Sequence, residues 1–169
     1  RGSRFSPRDM VERGFNNEGV VVAGAHLSGK IDLLHILENG HMEVRDFKTG
    51  KPALDWHGKD EFEKIKLHKY RQQLLFYKLL VENSASFHKK FTAAAGALEF
   101  IEPDEKGSLV PDLELSFENE ELERFTRLIG AVWTHIIKLD FPDTSIYPKN
   151  LRGIQQFEQD LIDGSLGSQ

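Results

Sequence analysis

The sequence predicts an α/β domain, a small mixed β-sheet flanked by helices. Two observations carry this. Short runs of β-favouring residues fall before residue 50 and again between residues 91 and 117, whereas residues 60–82 and 119–139 change to an apolar repeat of three and four residues. At 169 residues the chain suits one domain able to bury a substantial core.

The elements follow in order. Residues 1–18 are polar, open on Arg-Gly-Ser and read as the cut edge of a longer protein. The domain proper is expected over 19–163. Val20, Val21 and Val22 favour a strand over 19–27, and a second β-rich run covers 30–37. Glu38-Asn39-Gly40 signals a turn, and residues 42–48 read as a third strand, ended by Thr49-Gly50-Lys51-Pro52. Residues 60–82 form the clearest helix, with Phe62, Ile65, Tyr70, Leu74, Tyr77 and Val81 near one stripe. Residues 91–101 and 109–117 are expected to pair as a hairpin across the polar turn 103–107. A second helix is predicted over 119–139, capped by Asn119, with Leu122, Phe125, Ile129, Val132, Trp133 and Ile136 as its apolar face and Trp133 in the core. Phe141-Pro142 ends it, residues 153–162 form a short last helix, and 164–169 are a Gly/Ser tail.

Composition removes several functions. Apolar residues make up 39% and charged residues 29%, and no apolar run approaches the length of a membrane span, so the chain reads as a soluble, cytoplasmic protein. With no cysteine, disulfides, cysteine-ligated zinc and an iron–sulfur cluster are excluded. A net charge of −5 disfavours a surface that wraps nucleic acid throughout, yet Lys59, Lys64, Lys66, Lys69 and Arg71 concentrate positive charge in one segment.

The chemistry gathers on neighbouring strands. Asp46 and Lys48 are two apart in a predicted strand and share a face. Whether Asp32 joins them depends on the turn. A two-residue loop at Asn39-Gly40 would set Asp32 across from Phe47, whereas a three-residue loop with Gly40 left-handed sets it opposite Asp46, and the three-residue loop is predicted. Two carboxylates crowded on one patch are costly unless a cation pairs with them. Mg²⁺ or Mn²⁺ is the expected occupant, held by Asp32, Asp46 and the backbone carbonyl of Phe47. Lys48 would orient or help deprotonate a metal-bound water and stabilise the charge developing on a phosphodiester.

Gly29-Lys30-Ile31-Asp32, then Val44-Arg45-Asp46-Phe47-Lys48-Thr49-Gly50-Lys51, then Gln73-Leu74-Leu75-Phe76-Tyr77 resemble, in order and spacing, the successive motifs of the RecB-like branch of the PD-(D/E)xK nuclease superfamily. The resemblance covers residues 20 to 82 and implies a restriction-endonuclease-like core. It implies that Asp32 and Asp46 bind metal, that Lys48 is catalytic, and that Gln73 and Tyr77, four apart on a helix, line the site. It further implies a DNA nuclease, commonly joined to a superfamily 1 helicase motor in the same chain or complex. Such an enzyme would act on single-stranded or end-containing DNA in repair or recombination. The family's upstream helix contributes a His or an acid, and residues 1–18 offer only Asp9, Glu12 and Glu18.

Asp46 and Lys48 alone would pass for a solvated strand face, and Gln73 and Tyr77 for a packing stripe. His26, His35, His41, His57 and His68 read as core, edge or surface residues rather than ligands. Lys51, Lys66, Lys69 and Arg71 are candidate phosphate contacts, with a solvated helix face as the alternative. Trp56 is expected to pack rather than to stack on a base. A nuclease fold that binds DNA or protein without cutting is the alternative function.

Overall fold

The computed structural model describes residues 15–16, 18–37 and 40–166. Readings of residues 1–14, of the turn residues Glu38 and Asn39, and of residues 167–169 lie outside the described residues. Eleven elements follow one another among those described: β1 (Phe15–Asn16), β2 (Val20–Val22), β3 (Ala25–Leu27), β4 (Lys30–Ile31), β5 (Leu33–Ile36), β6 (His41–Lys48), α1 (Glu61–Asn83), β7 (Thr92–Phe100), β8 (Leu113–Ser116), α2 (Asn119–Lys138) and α3 (Leu151–Asp163). The central sheet has the order β5-β6-β7-β8 and is mixed, because β6 and β7 run parallel while both outer pairs are antiparallel. Parallel neighbours need a crossover, and α1 supplies it. The α/β class and the small mixed sheet flanked by helices are as the sequence predicts.

Two expected strands are broken. Residues 19–27 form a tight hairpin, β2 against β3, turning at Ala23 and Gly24. Residues 30–37 divide at Asp32, where the chain bends between β4, which pairs with β1, and β5, which joins the central sheet. The β7–β8 hairpin forms, but β8 starts only at Leu113, and Leu109 is exposed.

Helix α1 starts where Asp60 accepts a hydrogen bond from Glu63 N–H at 2.8 Å, a side-chain cap for an otherwise unpaired donor. Its burial is not one stripe. The amino-terminal half leaves Phe62 exposed, whereas Leu74, Leu75, Tyr77, Leu79, Leu80 and Val81 are all buried, so most of the carboxy-terminal half is enclosed. One wall is the sheet: Leu74 joins Met42, Val44, Ala93 and Leu98 in the core. Gly96 permits this approach, since a Cβ there would stand 3.1 Å from Leu74 Cδ1 and 3.0 Å from Phe117. Lys78, also buried, ends on the carbonyl of Ala93 at 2.7 Å and on Glu82 at 2.6 Å, which satisfies its ammonium inside the fold.

Helix α2 is peripheral, which corrects three expectations. Its cap position is Glu118, without a side-chain hydrogen bond, and Asn119 is already helical. Val132 and Ile136 are exposed, and Trp133 is half-buried beside His26, ring centres 6.1 Å apart, rather than in the core. Leu122, Phe125 and Ile129 do pack on the core. An amphipathic period identifies the face that packs, but not how far along the helix there is something to pack against. Helix α3 is capped by Asn150, whose side chain accepts from Gly153 N–H at 2.9 Å. His68 and Gln72 of α1, with Arg124 of α2, converge on the buried Glu158 of α3 and tie the three helices together. Among the described residues no helix is long and apolar enough to cross a membrane.

Candidate active site

Leu33 pairs with Arg45 and Ile36 with Met42, the register of a three-residue turn, and the chain bends out of this ladder at Asp32, one residue beyond its last pair. Leu37 N–H donates to the His41 carbonyl at 2.8 Å to close the ladder, and Gly40 has φ +76°, a conformation a side chain would oppose. Asp32 itself stands at the bend, exposed, and its Oδ2 accepts from Phe47 N–H at 3.0 Å. Its carboxylate therefore lies against the peptide that links Asp46 to Phe47.

Asp46 is a buried carboxylate, 2% exposed, at the end of the core face that Met42 and Val44 line. Its two oxygens differ. Oδ1 accepts from Tyr77 OH at 2.8 Å and from Gln73 Nε2 at 2.9 Å. Oδ2 receives no hydrogen bond, although Lys48 Nζ is 2.5 Å away in an ion pair outside hydrogen-bonding geometry. Lys48 directs its hydrogen bond to Gln73 Oε1 at 2.6 Å and stands 4.1 Å from the centre of the Tyr70 ring. Gln73 thus donates to the acid with one end of its amide and accepts from the ammonium with the other, which fixes the amide's orientation. Its Nε2 also approaches Tyr77 OH at 2.8 Å.

Helical geometry explains why α1 serves this patch. Tyr70, Gln73 and Tyr77 recur at three and four residues and project from one side of the helix over the end of β6. Burial, then the hydrogen bond to and charge of Asp46, push the Tyr77 hydroxyl well above the ordinary tyrosine range, and Asp32 adds to this from farther off. The hydroxyl therefore stays protonated and acts as a donor. Burial and the charge of Asp46 raise Tyr70 as well. Sequence reasoning named Gln73 and Tyr77 but missed the contact of Tyr70 with Lys48; its position three residues before Gln73 is the signal that could have found it.

Residues expected to bind cations or phosphates fare differently. A buried Asp46 oxygen that takes no hydrogen bond and is balanced by Lys48, with the Asp32 carboxylate on the next peptide N–H, is donor chemistry that fits a hard divalent ion. Among the described residues no group of three or more His, Asp or Glu side chains is placed to hold a metal ion, so the patch offers two carboxylates rather than a full side-chain cage. Lys51 pairs with Glu105 at 2.6 Å, and Arg71 forms a two-pronged bridge with Glu121, so both charges are already matched. Lys66 reaches the Lys51 carbonyl at 3.3 Å, and Lys69 is exposed. Trp56 packs partly on the core and donates its indole N–H to the Glu114 carbonyl at 2.7 Å. His26, His41 and His57 are exposed, His35 lies 3.9 Å from Glu43, and His68 bonds Glu158 at 2.7 Å. A cavity of about 750 Å³ opens between Trp56, His68, Arg71 and Arg124, on a different side of α1 from Gln73 and Tyr77. None of Asp32, Asp46, Lys48, Gln73 and Tyr77 lines it, so it is separate from the Asp46 patch.

Residues 2–150 match the family model of the PD-(D/E)XK nuclease superfamily. No curated protein matches the sequence.

Proposed function

The chain belongs to the PD-(D/E)XK nuclease superfamily, and from that premise we propose that it is a Mg²⁺- or Mn²⁺-dependent nuclease of the RecB-like branch that hydrolyses phosphodiester bonds of DNA. The observation that carries the reading is the asymmetry of Asp46. One oxygen is saturated by Tyr77 and Gln73, and the other is buried without a hydrogen bond beside Lys48. In the metal-free protein Lys48 neutralises that oxygen, and a buried carboxylate oxygen that takes no hydrogen bond is donor chemistry suited to a hard divalent ion.

In this mechanism Asp46 Oδ2, the Asp32 carboxylate and the Phe47 carbonyl would hold the ion. When bound, the ion would supply Lewis-acid polarisation of the scissile phosphate and a water of lowered pKa. Lys48, kept in place by Gln73, would orient the attacking water and stabilise negative charge on the phosphate oxygens as the ester bond breaks. Tyr77 and Gln73 would hold the Asp46 carboxylate correctly turned through their bonds to Oδ1. Lys66 and Lys69, on the exposed half of α1, would contact neighbouring phosphates, with Lys51 and Arg71 joining only if they leave their glutamates. The substrate would be single-stranded or end-containing DNA, delivered by a helicase motor during repair or recombination, and the cytoplasm is the proposed location.

Labelled single- and double-stranded DNA incubated with Mg²⁺ or Mn²⁺ tests the reading. The wild-type chain should cut, EDTA should stop it, and Lys48→Ala or Asp46→Ala should lower the rate at least a hundredfold while circular dichroism remains native. Equal cutting by these variants, or no cutting by the folded wild type with either ion, would refute it; DNA binding without cutting would leave the non-catalytic alternative.

A further inference from the structure

The Lys48 ammonium has three neighbours at once: Gln73 Oε1 at 2.6 Å, Asp46 Oδ2 at 2.5 Å and the Tyr70 ring at 4.1 Å. The first and last can hold a cation in any state of the site. The middle one is the oxygen assigned above to the metal. We propose that Lys48 is the resident competitor for the divalent ion at Asp46 Oδ2, and that the face of Tyr70 is the seat its ammonium keeps when the ion takes that oxygen.

A Mg²⁺ ligand oxygen sits about 2.0–2.1 Å from the ion, so an ion and an ammonium cannot both lie at contact distance on the same side of one oxygen without strong repulsion. Oδ1 offers no alternative position, since two donors occupy it. Loading the ion therefore requires Lys48 to leave Oδ2. The side chain of Lys48 is only 13% exposed, so it cannot simply swing into solvent. It can retreat towards the Tyr70 ring, whose face attracts cations through its quadrupole, while it keeps the bond to Gln73. That attraction counts for more once a carboxylate no longer neutralises the ammonium. Lys66 approaches the same ring only to 5.9 Å and is held by the Lys51 carbonyl, so the seat belongs to Lys48. Tyr70 is thus a positioning residue: it keeps the lysine beside the phosphate after metal entry and couples loading of the ion to release of the ammonium from Asp46.

The inference rests on the metal reading above, and its test separates the two. Mn²⁺ binding to the metal-free wild-type chain is measured by calorimetry or by electron paramagnetic resonance, without DNA. Lys48→Met, which removes the competitor, should tighten Mn²⁺ binding about tenfold or more. Tyr70→Leu, which removes the ring, should weaken it about three- to tenfold, whereas Tyr70→Phe, which keeps the ring, should stay within about twofold of wild type. Thermal melts identify any variant that fails to fold, and Tyr70→Phe remains informative if Tyr70→Leu does. An unchanged or weaker affinity in Lys48→Met would overturn the competition. Equal weakening in Tyr70→Phe and Tyr70→Leu would overturn the seat. If the wild type shows no saturable Mn²⁺ binding, or if Asp46→Asn leaves it intact, the metal reading itself fails, and the seat with it.

Discussion

Removing the Tyr77 hydroxyl measures how the Asp46 carboxylate is kept inside the protein. Tyr77→Phe preserves a ring that is 6% exposed and deletes two contacts, the donation to Asp46 Oδ1 at 2.8 Å and the 2.8 Å contact with Gln73 Nε2. Asp46 would retain one donor on Oδ1, Gln73 Nε2 at 2.9 Å, and the Lys48 ion pair. A hydrogen bond to a charged group contributes about 1.5–3 kcal/mol, and little water can replace the lost donor at a site this buried. The expected loss in metal-free protein at neutral pH is about 2 kcal/mol. For a domain of this size that corresponds to a fall in Tm of about 4–8 °C. Urea unfolding gives the free energy, and a double-mutant cycle assigns its origin. In an Asp46→Asn background the hydroxyl meets a neutral amide oxygen, so the same substitution should cost only about 1 kcal/mol. A loss below about 0.5 kcal/mol in the wild-type background, or an identical loss in both backgrounds, would show that the hydroxyl does not support the carboxylate.

Other predictions concern the frame around the site. Gly96→Ala should destabilise the fold by about 1–3 kcal/mol in urea titrations, because its Cβ would crowd Leu74 and Phe117. Gly153→Ala should cost at least as much as Gly96→Ala, since the new Cβ would fall 1.9 Å from the Pro148 carbonyl oxygen, a clash with backbone that no side-chain adjustment relieves. Burial alone would raise the Glu158 carboxyl, but His68, Gln72 and Arg124 outweigh it and hold the group below the ordinary glutamate value. Its folded pKa being depressed, Glu158 contributes stability that is fully present above the unfolded value of about 4.3 and is lost as pH falls through the lower folded value. Glu158→Gln should therefore flatten part of the fall in unfolding free energy below about pH 4.3, and an unchanged slope would contradict the pairing.

Much of the architecture was legible because local chemistry specifies it. β-Branched residues and turn formers marked the strands, a periodic apolar stretch marked α1, and the parity of β6 put Asp46 and Lys48 on one face. Gly40 even made the register of β5 on β6 readable, since one left-handed residue suits the three-residue turn that pairs Leu33 with Arg45. Gln73 and Tyr77 were legible as neighbours of each other, because a helix brings residues four apart together.

Other features depend on which surfaces meet, and a one-dimensional pattern does not contain that. Phe62 belongs to the apolar repeat of α1 yet lies beyond its packed half, and Trp133 repeats correctly on α2 but is half-buried beside the exposed His26. Pairings across long separations, Arg71 with Glu121 and His68 with Glu158, arise from helix docking and cancel charges that the sequence leaves unassigned. The same holds at the candidate site. The sequence by itself determined which side chains lie on one strand face and one helix face; only the tertiary structure, by laying α1 across β6, decided that Gln73 would bridge Lys48 and Asp46 and that one carboxylate oxygen would be buried without a hydrogen bond. The physical reason is range: periodicity and turns act over a few residues, whereas burial and electrostatic pairing are set by groups far apart in the chain that folding brings within a few ångströms.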